Sequence, residues 1–147
     1  MAVATAAVES VKARAFRPKI LVFSTNNISD PGIDLAGSSH MHYPPEAMTI
    51  ALPCTSGIDP EWIVHAFERG IDGVFIASDG EECAYLTDCA ERSARIFDTA
   101  QAALRERGIA PERLKMAAIC SVCAESFVKY MREFDQELAA LGPVGQE

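Results

Sequence analysis

From residue 19 onward, the apolar positions of this chain fall into two alternating kinds of run. Lys19-Ile20-Leu21-Val22-Phe23-Ser24 and Gly73-Val74-Phe75-Ile76-Ala77-Ser78 are nearly continuous apolar stretches, the mark of strands buried on both faces of a parallel sheet. Met48-Thr49-Ile50-Ala51-Leu52-Pro53-Cys54 and Leu114 to Ile119 supply two more. Between them lie helical signals. Asp30-Pro31 and Asp59-Pro60 each read as an N-cap followed by proline at the first helical position. The first opens a short helix that Gly37-Ser38-Ser39 closes. The second opens a helix with Trp62, Ile63, Ala66 and Phe67 on its apolar face and a stop at Gly70. A polar turn, Asp79-Gly80-Glu81-Glu82-Cys83, leads into a long helix with Leu86, Ala90, Ile96 or Phe97, Ala100 and Leu104 inward, until Gly108. The last helix spaces Phe127, Met131, Phe134, Leu138 and Leu141 by four, three, four and three, and Gly142-Pro143 terminates it.

Strands alternating with helices predict an α/β fold with right-handed crossovers. The expectation is a single flavodoxin-like or half-Rossmann domain, a four-stranded parallel sheet with helices on both faces and strand order 2-1-3-4. Residues 19–143 form this domain. Residues 1–18, rich in alanine and closed by Pro18, read as an arm, flexible or docked on a partner, and 144–147 as a tail.

Composition narrows the partners. With 147 residues and 49% hydrophobic content the chain can bury a core without disulfide staples. A net charge of −8 argues against nucleic acid and anionic membranes, which demand clustered Lys and Arg. No apolar run approaches the roughly 20 residues that span a bilayer. At the N-terminus the charges follow the apolar part, the wrong order for a secretory signal. Five cysteines, an odd number without framework spacing, then point to a cytoplasmic protein with reduced or ligated thiols.

The candidate chemistry is sulfur. Ligands of open α/β sheets sit outside the carboxyl ends of the strands, where every strand-to-helix loop emerges. Cys54 follows strand two, Cys83 follows strand three, and Cys120 and Cys123, a Cys-x-x-Cys, follow strand four, so four cysteines map to one edge. Four thiolates suit a tetrahedral zinc or an iron–sulfur cluster. Packing in the core is the competing, weaker explanation for Cys54 and Cys120, since free cysteine is among the most buried residue types. Cys89, three residues after Leu86, reads as a core residue of the long helix. His40, His42 and His65 read as surface or structural residues, and Asp79, Glu81 and Glu82 as helix-start acids. No Gly-x-Gly-x-x-Gly, P-loop or Ser/His/Asp arrangement is present.

Several stretches together resemble the delta subunit of methyl-viologen-reducing hydrogenase, the hydrogenase iron–sulfur subunit family. They are Asp34-Leu35-Ala36-Gly37-Ser38-Ser39 with Tyr43-Pro44-Pro45, Cys54-Thr55-Ser56-Gly57-Ile58-Asp59-Pro60-Glu61, Ala66-Phe67-Glu68-Arg69-Gly70-Ile71-Asp72-Gly73-Val74, Cys83-Ala84-Tyr85-Leu86 and Gly108-Ile109-Ala110-Pro111-Glu112-Arg113. The resemblance implies a small [2Fe–2S] protein that relays electrons between a redox partner and a heterodisulfide-reductase-like flavoprotein, and is not an enzyme by itself. The family's Cys-Asn-Trp-Cys after the first strand aligns with Thr25-Asn26-Asn27-Ile28, and its cysteine at the end of strand three with Ser78. Only Cys54 and Cys83 match.

The leading expectation is therefore an electron-transfer subunit in which Cys54, Cys83, Cys120 and Cys123 hold a relocated [2Fe–2S] cluster, with the arm and last helix as docking elements. The alternatives are a cluster-free structural adaptor, a thiol–disulfide switch at Cys120 and Cys123, and a zinc site.

Overall fold

The computed structural model describes residues 16–81 and 83–146. Its centre is a pair of strands, β1 (Ile20–Thr25) and β3 (Gly73–Ser78), paired in parallel from Ile20 opposite Gly73 to Phe23 opposite Ile76. Each alternates its side chains between two cores. Ile20, Val22, Phe75 and Ala77 face one, and Phe23, Val74 and Ile76 face the other. A strand that is apolar on both faces needs helices on both faces, and burying each large side chain contributes roughly 1.5–3 kcal/mol. The outer strands are β2 (Ala47–Leu52), parallel to β1, and β4 (Leu114–Ala118), parallel to β3, giving the expected order β2-β1-β3-β4.

Helices α1 (Ser29–Ser38) and α4 (Ala124–Leu141) cover the first core, where Ile33 and Ala36 meet Phe127, Met131, Phe134 and Leu138. Helices α2 (Pro60–Glu68) and α3 (Cys89–Glu106) cover the second with Ile63, Val64, Phe67, Ala100 and Leu104. Gly73 is required by packing: a Cβ there would collide with the side chains of Leu138 and Phe134, which lie directly on the strand.

Several element boundaries differ from the sequence expectation, each for a local reason. Helix α1 begins at Ser29, before Asp30-Pro31, because the Ser29 amide donates to Thr25 Oγ1 (3.1 Å) and the chain has already turned there. Pro31 still sits in the first turn, where a missing N–H costs nothing. Asp59 does cap α2, accepting from the Glu61 amide at 2.9 Å. That helix is rotated by one position: Val64 is buried, and Trp62, expected inward, is 49% exposed beside the edge strand β2. Leu86 is also outside, because the described residues between Ser78 and Cys89 form turns and bends and α3 starts only at Cys89. The Asp88–Arg92 ion pair (2.7 Å) staples the first turn of that helix. Leu141 is 40% exposed at the end of α4.

A polar latch closes the amino edge of the sheet. The fully buried Arg113 donates to the carbonyl oxygens of Asp72 (3.1 Å) and Gly142 (2.8 Å). The Asp72 carboxylate accepts from the amides of Lys19 (2.9 Å) and Val144 (3.0 Å). Val144, expected in a tail, is therefore fastened to the domain. Of the expected arm, residues 1–15 lie outside the described residues. Among the described residues no helix is long and apolar enough to cross a membrane.

Arg113→Ala leaves two buried carbonyls without these donors, and is expected to cost about 3 kcal/mol of stability. Urea unfolding is expected to show a lower midpoint at unchanged slope.

Candidate functional site at the carboxyl edge of the sheet

All four strands end on the same edge, and the strand order reverses between β1 and β3, the crevice where such sheets bind ligands. Here hydrogen bonds fill that crevice. The Thr25 amide donates to Ser29 Oγ (2.7 Å), which donates to the Ala77 carbonyl (2.9 Å). Thr25 Oγ1 donates to the Asp79 carboxylate, and Ser24 Oγ to Asp30 Oδ1 (3.0 Å). Ser78 Oγ reaches the Ala117 carbonyl at 3.4 Å. Ser24, Thr25 and Ser29 are fully buried, and no buried side-chain polar atom among the described residues lacks a partner. Thr25, Ser29, Asp79 and the Ala77 carbonyl thus form one connected network, and Ser78 pairs separately with the Ala117 carbonyl.

Cys120 and Cys123 emerge after β4 and are joined by a disulfide. The Cys123 amide donates to the Cys120 carbonyl at 3.0 Å, and Cys123 stands at the N-cap of α4. From below, α1 fixes the loop: a Cβ on Gly32 would strike the Cys120 carbonyl oxygen, so this helix touches the loop backbone. The tip of the loop, Val122, is 77% exposed.

The other three cysteines gather on the opposite face of the sheet, around the start of α3. Cys89 is 1% exposed and counts among the buried core residues, as the sequence expectation has it. Its Sγ lies 3.6 Å from Cys54 Sγ, and Ser56 Oγ lies 3.0 Å from the same Cys54 sulfur. Next along each element, Thr55 Oγ1 and Ser93 Oγ meet at 2.9 Å in a buried contact that clamps the Cys54 loop to α3. Burial pushes the Cys89 thiol up to about 12, with the neighbouring Cys54 and then Cys83 adding to the effect. Arg92, whose guanidinium holds the Asp88 carboxyl below its ordinary value, interacts electrostatically with both Cys54 and Cys89.

Cys89 is the functional candidate that the sequence reading placed in the core. A signal for it existed, since Asp88 precedes Cys89 and pairs with Arg92, which marks a helix start rather than mid-helix. His40 and His42 are exposed in the loop after α1, where the His42 carbonyl accepts from Arg132 at 2.6 and 2.9 Å. His65 is exposed on α2, and Asp79 is engaged by Thr25.

A [2Fe–2S] centre takes four cysteine thiolates. The donors present do not fit one as they stand: Cys120 and Cys123 are bonded to each other, and Cys54 has its sulfur against that of Cys89. Among the described residues no three or more His, Cys, Asp or Glu side chains are arranged to hold a metal ion. As they stand, Cys120 and Cys123 form a disulfide, and Cys54, Cys83 and Cys89 are free thiols.

Fold and edge together define a doubly wound α/β domain that presents sulfur at the carboxyl ends of its strands. Residues 20–142 match the family model described as methyl-viologen-reducing hydrogenase, delta subunit, and the chain belongs to that family. It is 32% identical over 133 residues to an F420-non-reducing hydrogenase iron-sulfur subunit of Archaeoglobus profundus, covering 87% of this chain and 93% of that one. The F420-non-reducing hydrogenase vhu iron-sulfur subunit of Methanococcus maripaludis is 34% identical over 127 residues, covering 86% and 94%. A ferredoxin:CoB-CoM heterodisulfide reductase subunit of Methanosarcina mazei is 33% identical over 131 residues, 88% of this chain but only 16% of that much longer one. The chain thus belongs to a family of hydrogenase delta subunits and is similar to one segment of a longer heterodisulfide reductase chain.

The raised Cys89 value sets a pH dependence. The folded state holds this proton more tightly than the unfolded chain, so the stabilising contribution is fully present below pH ~9 and is lost as pH rises toward about 12. Unfolding free energy measured from pH ~9 upward is expected to fall less steeply in Cys89→Ala than in the parent.

Proposed function

We propose that this chain is an electron-transferring subunit of a hydrogenase- or heterodisulfide-reductase-type complex, and that Cys120 and Cys123 carry the electron pair as a thiol–disulfide couple. The observation behind this reading is the disulfide at the mouth of α4 under an exposed tip. The helix N-terminus stabilises a thiolate on Cys123, making it the better leaving group. An incoming thiolate then attacks Cys120 Sγ, Cys123 departs as thiolate, and attack by a second thiol releases the dithiol with two electrons and two protons gained.

A second reading follows from the names of the hydrogenase relatives, which call them iron-sulfur subunits. In it, Cys54, Cys83, Cys120 and Cys123 hold a [2Fe–2S] cluster after the disulfide is reduced and the loops regroup. Iron and acid-labile sulfide analysis of anaerobically purified protein, with EPR after dithionite reduction, separates the two. The thiol–disulfide reading expects neither metal nor signal, with dithiothreitol releasing two thiols. Stoichiometric iron and sulfide with a reduced-cluster signal contradicts it.

The partner in this reading is a heterodisulfide-reductase-type chain, since relatives of that name carry a segment like this domain within one longer polypeptide. The candidate contact is the β2–α2 edge, where Met48, Ile50 and Trp62 are 49%, 46% and 49% exposed. An edge strand with outward apolar side chains is a surface that soluble proteins otherwise blunt with charge. Ile50→Asp is expected to weaken co-purification with such a chain about tenfold or more while leaving the isolated domain's thermal midpoint near the parent's. Unchanged binding contradicts this placement.

A further inference from the structure

The Cys120–Cys123 couple leaves one cluster of reactive groups unused: Cys54, Cys83 and Cys89 at the start of α3. Its geometry is built rather than incidental. The sulfurs of Cys54 and Cys89 are 3.6 Å apart, in direct contact, and they sit on different elements, a strand-exit loop and a helix start. The adjacent Thr55–Ser93 hydroxyl contact, 2.9 Å and buried, ties those elements together one residue from Cys54 and one turn from Cys89. The two thiols also differ in access. Cys54 is half-buried and reachable, whereas Cys89 is sealed beneath it.

We propose that Cys54 and Cys89 form a second redox site, a dithiol that reduces an external disulfide, with Cys54 as the attacking thiol and Cys89 as the resolving one. In the first step the Cys54 thiolate attacks one sulfur of a disulfide R–S–S–R. The S–S bond breaks, a Cys54–S–S–R mixed disulfide forms, and one RS⁻ leaves and takes up the proton that Cys54 gave up. In the second step Cys89 loses its proton and its sulfur attacks Cys54 Sγ, displacing the second RS⁻, which is protonated in turn. Two thiols are oxidised to one Cys54–Cys89 disulfide, and one external disulfide is reduced to two thiols.

The surroundings favour this division of labour. Burial shields Cys89 from solutes while Cys54 is open to them, so an external disulfide meets Cys54 first. Helix α3 begins at Cys89, so its N-terminus supports the thiolate that forms during resolution. Arg92 supplies a cation that interacts with both sulfurs.

The test uses the full chain carrying Cys120→Ser and Cys123→Ser, which leaves three thiols, and glutathione disulfide as the external disulfide. Cleavage before Asp residues puts Cys54, Cys83 and Cys89 in separate fragments, 34–58, 79–87 and 88–97. The expected result is loss of two thiols, a bridge between fragments 34–58 and 88–97, and its reversal by dithiothreitol. Adding Cys89→Ser is expected to trap glutathione on Cys54. In the Cys89-containing chain, Thr55→Val is expected to slow bridge formation by up to about tenfold, without changing the rate of adduct formation measured in the Cys89→Ser background. A bridge to fragment 79–87, a lasting glutathione adduct with Cys89 present, or no thiol loss overturns the proposal. Because Cys120 and Cys123 lie in fragment 98–134 of the unmodified chain, their own oxidation is read separately there and tests the Cys120–Cys123 couple independently.

Discussion

Everything in this domain depends on two strands, β1 and β3, that are apolar on both faces. Neither face can meet water, so helices must cover both, and each connection between parallel strands must cross the sheet through a helix. The consequence is directional. Every strand delivers its following loop to one edge, and the opposite edge is left to be sealed. Arg113 and Asp72 do the sealing, satisfying carbonyls and amides at the amino edge and holding the chain after α4 in place. Freed of structural duty, the carboxyl edge collects the reactive residues.

That edge sorts its groups by the face of the sheet each loop turns toward. After β1 and β3 the crevice is closed by Ser24, Thr25, Ser29 and Asp79, joined through their own hydrogen bonds. After β4 the chain turns over α1 and α4, where contact with Gly32 and the N-cap position of Cys123 set the Cys120–Cys123 loop. After β2 the chain turns toward α3, and the Thr55–Ser93 contact brings Cys54 to Cys89. Sulfur is therefore divided between two places, the Cys120–Cys123 disulfide and the group of Cys54, Cys83 and Cys89. The relatives named iron-sulfur subunits are similar to this chain in sequence, and the chain carries Thr25, Ile28 and Ser78 at the positions that the resemblance aligns with cysteines.

Much of the architecture was legible from period alone. Runs such as Val74 to Ala77 admit few other readings; the strand order rested on the assumed fold class and not on period, Leu141 of α4 is exposed, and the other inward positions of α4 and the stop at Gly70 emerged. The irregular stretch before α3 did not, because Leu86 continues the helical spacing of Ala90 and Ala100 while the described residues there form turns and bends. That one error moved Cys89 from the start of a helix to its middle and hid its pairing with Cys54. Likewise Trp62 satisfied an apolar helical face by spacing, but periodicity carries no information about which strand is at the edge. The carboxyl-edge location of Cys54, Cys83, Cys120 and Cys123 followed from topology. How they divide did not, since thiol pairing is decided by the side from which each loop approaches and by hydroxyl contacts between distant residues.

The central claim, that this edge carries sulfur in two independent pairs, is tested most directly by alkylating all free thiols across a dithiothreitol redox titration under anaerobic conditions and counting them by mass. The account predicts two separate two-electron transitions, each releasing or consuming a pair of thiols, with Cys83 alkylated throughout. A single transition involving only Cys120 and Cys123, or thiols that stay protected by iron until the metal is removed, contradicts it.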